Sequence, residues 1–136
     1  MAQSDRTRPA TSADARLYYG KAVEFLESAD AALREERWDA AGLAAIHAGI
    51  SASDAVLAYR GGVRSAGQDH RSAVDLLLQV LGPAATTASR HMKRLVDKKN
   101  LVEYEQRRLT HQEALDLAEH ARRFIRWAAT QLPARS

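Results

Sequence analysis

Apolar positions recur at three- and four-residue intervals through most of the chain, and each recurring stretch is bounded by residues that start or stop helices. Tyr18, Ala22, Phe25, Ala29 and Ala32, flanked by Leu26 and Leu33, trace one face of a first helix predicted from near Ser12 to about Glu36. Thr11 and Asp14 form a candidate capping box: the hydroxyl accepts from an orphan amide, and the carboxylate accepts from the amide of the cap residue. Trp38-Asp39 marks a turn and a candidate N-cap. Beyond it Ala41, Ala45, Ala48, Ala52, Ala55 and Val56 continue the period toward Tyr59. Together with Gly42, Gly49, Ser51 and Ser53 they make this second helix small-sided. Small side chains let neighbouring helices approach closely, which predicts a place at the centre of a bundle.

Gly61-Gly62 stops that helix, and the loop through Gly67 and Gln68 leads to Asp69, a candidate cap for a short third helix ending near Gly82-Pro83. Ala73, Leu76, Leu77 and Val80 are its expected inward residues. A fourth helix is predicted from Thr86 or Thr87, with Ala88, Met92, Leu95 and Val96 inward and its basic residues outward. Thr110-His111-Gln112-Glu113 matches a capping box and opens the last helix. The apolar face of that helix is Ala114, Leu117, Ala118, Ala121, Phe124, Ile125, Ala128 and Leu132, and Pro133 supplies the stop. Residues 1–11 carry no periodicity and are expected to be a flexible tail, leaving 12–133 as one helical domain. The pattern predicts an all-α, up-and-down bundle of about four to five helices.

Composition narrows the class. The 136 residues suffice for one core, and the 46% hydrophobic content, mostly Ala and Leu with 6% aromatics, suits closely packed helices. Cysteine is absent, which excludes a disulfide framework, a thiolate nucleophile and a Cys-based zinc site. No stretch reaches the roughly 20 apolar residues of a membrane span, and Met1 to Ser12 lacks the apolar core of a signal peptide, so no membrane association and a cytoplasmic location are expected. No Gly-rich phosphate loop opens a helix, so no cofactor is expected. His47 and Asp54 share a helical face at a spacing of seven, but no third ligand matches, and no metal is expected. A structural role across the core is the reading for that pair.

The net charge of +3 is modest, and its distribution is more telling. Arg90, Lys93, Arg94, Lys98, Lys99, Arg107 and Arg108 crowd one segment, opposed there by Asp97, Glu103 and Glu105. Such a cluster suits backbone phosphates, and Tyr104 is placed to stack on an unpaired base. The competing reading is a solvated face of ordinary salt bridges with a buried Tyr. Arg122, Arg123 and Arg126 are expected to extend the basic surface, and Trp127 to mark a dimer seam.

The order of these elements, with the helix Leu17 to Leu33, the Ala-rich helix Asp39 to Tyr59, the loop leading to His70 and Leu76-Leu77-Leu78, and the closing helix after Tyr104, resembles HEPN domains. That resemblance implies homodimers of four- or five-helix bundles, tied to RNA cleavage, toxin–antitoxin or defence systems, and often a partner nucleotidyltransferase or antitoxin. Its nuclease members join an Arg and a His, four to six residues apart, to attack phosphate with the ribose 2′-hydroxyl without metal. In the corresponding segment, Lys99-Asn100-Leu101-Val102-Glu103-Tyr104, Lys stands where Arg is expected and Glu or Tyr where His is expected. Lys99 can hold phosphate as a point charge, whereas Glu103 repels it unless protonated. Arg64 and His70 meet the spacing rule but lie in another part of the fold. Catalytic candidates are therefore Arg64 and His70 first, then Lys99 and Glu103. Nucleic-acid contacts fall to Arg90, Lys93, Arg94, Lys98, Tyr104, Arg107 and Arg108. The function these residues imply is a dimer acting on or with RNA in a toxin–antitoxin or defence setting, with metal-independent ribonuclease activity through a non-standard motif. The alternative is a non-catalytic dimeric interaction module or accessory subunit.

Overall fold

Two capping boxes fix where the first and last helices begin. Thr11 Oγ1 accepts from the amide of Asp14 at 3.2 Å while Asp14 accepts from the amide of Thr11 at 2.8 Å, and Thr110 and Glu113 repeat the exchange at 3.1 and 2.9 Å. In the computed structural model, which describes residues 7–66, 71–105 and 107–133, five α-helices follow: α1 (Ser12–Arg34), α2 (Trp38–Gly61), α3 (Arg71–Leu81), α4 (Thr86–Tyr104) and α5 (His111–Thr130). A 3-10 turn, Gly82–Ala85, links α3 to α4. The expected Asp69 cap and its neighbour His70 lie outside the described residues.

α2 is the axis around which the rest is arranged. It packs on α1, α3, α4 and α5, and Ala41, Ala45, Ala48, Ala52 and Ala55 are all fully buried. A side chain at Gly42 would run into Leu109 and Leu117, and one at Gly49 into Leu95, so both glycines are demanded by close approach rather than by backbone conformation. Gly42 lies near Val102 of α4 and Gly49 near Leu95 and Met92, so α4 runs antiparallel to α2. α5 runs back parallel to α2, with Leu117 near Gly42 and Gln131 bonded to Arg60. The four long helices thus alternate up and down, and the short α3 packs on α2 and α4. Among the described residues α2 alone is long and apolar enough to cross a bilayer, yet 72% of its most apolar window is buried against its neighbours, as befits a core helix.

The expected inward faces are in place. Ala88, Met92, Leu95 and Val96 of α4 and Ala114, Leu117, Ala118, Ala121, Phe124, Ile125 and Ala128 of α5 are buried. Leu132 is half-buried just beyond α5. Arg122 grips Asp30 with two bonds of 2.7 and 3.2 Å, which ties α5 to α1 and removes Arg122 from the basic surface expected of it.

Two expectations need correction. α2 begins at Trp38 with Arg37 as its N-cap, and Asp39 lies inside the first turn, where its Oδ1 accepts from the amide of Leu109 at 2.8 Å. Its carboxylate is recruited across the bundle instead of capping locally. Thr7–Pro9, expected to belong to a flexible tail, form strand β1 and pair antiparallel with β2 (Val63–Ser65), with Arg8 opposite Arg64. The period-based reading missed β1 and β2 because three residues are too few to display alternation. Gly62, in the left-handed conformation at φ 67°, ends α2 and turns the chain into β2.

Ala48 has no exposed surface, and its neighbours leave no room for added methylenes. Ala48→Leu is expected to destabilise the fold by about 1–3 kcal/mol in urea denaturation. A midpoint equal to that of the wild type would place this face outside the core.

Candidate nucleic-acid interface

α4 turns Met92, Leu95 and Val96 toward α2, which leaves its other side to Arg90, Lys93, Arg94, Lys98 and Lys99. Most of the cations in this segment already have partners. Lys93 meets Asp97 at 2.7 Å, Lys99 meets Glu103 at 2.6 Å, and Arg108 lies 3.6 Å from Asp39. Arg107 forms a two-pronged pair with Glu113 at 2.8 and 2.9 Å, and Lys98 approaches the same carboxylate at 3.5 Å. Bonded by the Arg107 guanidinium and by the amide of Thr110, Glu113 is held well below the usual carboxylate range. These contacts bind the loop after α4 to the start of α5. Arg90 and Arg94 differ: both are exposed and neither forms an ion pair among the described residues. Tyr104 is 71% exposed, so the buried-tyrosine alternative does not hold.

Beside those two arginines the seam between α4 and α5 holds a feature that the spacing of residues in sequence did not disclose. His91 and His120 meet with their Nδ1 atoms 3.0 Å apart and their ring centroids 5.2 Å apart. Both rings are half-buried, and both are pushed toward the neutral form, first by desolvation. For His91 the next cause is the Arg123 charge; for His120 it is His91 itself, then Arg94. Glu119 and Asp116 oppose these effects. Arg123 bonds Glu119 at 2.8 Å, whereas Arg126 is exposed with no ion pair among the described residues. The seam therefore joins two neutral imidazoles to a rim of guanidinium groups.

The cleavage candidates fall into two separate places. Arg64 lies half-buried on β2, beyond the C-terminal end of α2, and His70 lies outside the described residues. Lys99 and Glu103 flank Val102, which packs near Gly42 toward the other end of α2. Gly42 and Gly61 are separated along α2 by about 28 Å at 1.5 Å per residue. One chain thus keeps Arg64 apart from Lys99 and Glu103, and the latter two are closed on each other. Of the other two residues weighed from sequence, His47 faces the ring of Phe25 at 5.5 Å, whereas Asp54 faces Arg64 and accepts from the amide of Ser65. Trp127 is half-buried against Phe124, with ring centroids 5.5 Å apart, and closes the bundle edge.

Burial pushes the Asp54 carboxyl up from 3.8 to about 7, against the opposing charges of Arg64 and Lys21. Because the folded state holds this proton where the unfolded chain has released it, stability from this group falls as pH rises from about 4 to 7. Asp54→Asn is expected to remove that slope, stabilising the protein relative to wild type by on the order of 1–3 kcal/mol at pH 8 and by much less at pH 5. Thermal melts across pH 5–8 check it; a gap between variant and wild type that does not widen with pH contradicts the assignment.

A search of curated proteins found no match to the chain. The HEPN domain family model matches residues 15–132, nearly the whole length and all five helices. The chain belongs to the HEPN family.

Proposed function

We propose that this HEPN protein docks on single-stranded RNA through the α4–α5 face, in a toxin–antitoxin or defence setting. The observation that carries the reading is the pair Arg90 and Arg94, one helical turn apart, exposed and free of carboxylate partners among the described residues. Guanidinium groups of this kind meet phosphate oxygens in pairs and release condensed counterions when they do. Arg126 on α5 widens the basic surface, and Tyr104 offers an exposed ring at the end of α4. Arg107, Arg108, Lys98 and Lys93, expected from sequence to contact phosphate, are secondary here because Glu113, Asp39 and Asp97 hold them. Lys99 and Glu103 bond each other, which favours binding over cleavage at that segment.

A second reading, a dimeric interaction module, rests on α1. Leu17 is 66% exposed, Val23 is exposed on the same helix, and nothing stands within 4 Å of where a side chain at Gly20 would begin. A second copy of the chain suits that strip. Leu17→Glu is expected to shift the species seen by light scattering from dimer to monomer with no change in fold; a wild type that is already monomeric removes this reading.

For RNA, anisotropy titrations of a labelled oligouridylate over a range of salt concentrations compare wild type with the Arg90→Ala/Arg94→Ala double variant. The variant is expected to bind about tenfold more weakly and to lose about 1.4 from the slope of log affinity against log salt, roughly 0.7 for each phosphate contact. Equal affinities and equal slopes overturn the reading.

A further inference from the structure

The geometry of the seam says how the two imidazoles are joined. With Nδ1 atoms 3.0 Å apart and centroids 5.2 Å apart, the centroid-to-Nδ1 directions nearly line up, so each Nδ1 aims at the other. One of them carries the hydrogen and the other accepts it, whichever way round the tautomers lie. In the neutral pair the donor ring has a bare Nε2. A proton added there leaves the bond between the rings intact and makes it charge-assisted. A second proton has only the accepting Nδ1 to occupy, where it would set two N–H groups face to face. The pair is thus a store for one proton, and that proton sits on the outer nitrogen.

The charged groups that act on this store come from the two helices that carry it: Arg94 from α4, and Asp116, Glu119 and Arg123 from α5. Arg94 and Arg123 oppose protonation, and Asp116 and Glu119 promote it. An anion arriving on the arginines reverses their effect, because it cancels the positive charge that keeps the imidazoles neutral and offers its own oxygens to the new N–H. We propose that His91, His120 and Arg94, beside the Arg123–Glu119 pair, form a phosphate site that takes up one proton as it fills, the phosphate being one of the RNA backbone. This rests on the RNA reading above and adds to it a pH dependence that simple charge pairing lacks. By linkage the phosphate must bind more tightly as the pH falls toward the range in which the pair protonates, and it must raise the pH at which the pair protonates by the matching factor.

Calorimetric titration of oligouridylate at pH 6.5, in two buffers of different ionisation enthalpy and equal salt, reads the proton directly. Wild type is expected to take up close to one proton per site and to bind about tenfold more tightly at pH 6 than at pH 8. His91→Asn and His120→Asn, with folding checked by thermal melts, are expected to abolish the uptake and to flatten the tenfold change in affinity between pH 6 and pH 8, a loss that a merely structural role would not give. Oligouridylate binding without uptake, or uptake that survives both histidine variants, overturns the proposal while leaving RNA docking intact. If oligouridylate does not bind at all, the RNA reading falls, and inorganic phosphate decides the site. Histidine resonances titrated with and without 10 mM phosphate are expected to show a higher protonation midpoint for His91 and His120; unmoved midpoints overturn the site itself.

Discussion

Everything in this molecule depends on how closely the other helices can press on α2. Gly42 admits the side chains of Leu109, Leu117 and Val102, and Gly49 admits those of Leu95 and Met92, so the contacts that define both flanks of the core are made where α2 has no side chain. The alanines between them bury completely without forcing their neighbours apart. Much of the apolar bulk comes from outside the axis: Phe124, Met92, Leu95 and Leu77 fill the space that the small residues leave. This division explains why α2 is buried over most of its length and why its partners are amphipathic.

The same close approach sets the α4–α5 seam. With Leu95 and Met92 held at Gly49 and Leu117 at Gly42, the register of the two helices is fixed, and with it the meeting of His91 and His120. Glu113 reinforces that register from the loop side, because one carboxylate gathers Arg107, Lys98 and the amide of Thr110. Asp30 and Arg122 do the equivalent between α1 and α5. The cations left over, Arg90, Arg94 and Arg126, stand out because so many of their neighbours are engaged.

Sequence patterning disclosed the helices, both capping boxes and nearly every inward residue of α4 and α5, since these are local properties with a period or a fixed offset. It could not place Asp39, whose carboxylate serves Leu109, 70 residues away. Nor could it anticipate the histidine pair, whose members stand 29 apart in the chain on helices that meet only in the folded protein. Charge clustering singled out the segment, Arg90 and Arg94 included, but not which of its cations stand without an ion pair, because the number of cations in a stretch does not reveal which of them a carboxylate already holds. The HEPN resemblance, read from order and spacing, is established by the match over residues 15–132.

The ribbon of β1 and β2 joins residues on either side of the α1–α2 hairpin, Thr7 with Ser65 and Pro9 with Val63. Closing so long a stretch of chain for three residue pairs is unfavourable by itself, but an antiparallel helical hairpin brings its two ends together first, so little further freedom is lost when the strands meet. The ribbon therefore reports on the hairpin. The amides of Arg8 and Arg64, a facing pair in the ribbon, exchange only as fast as α1 opens from α2 on this account, which makes them a gauge of whether the central helix is clasped.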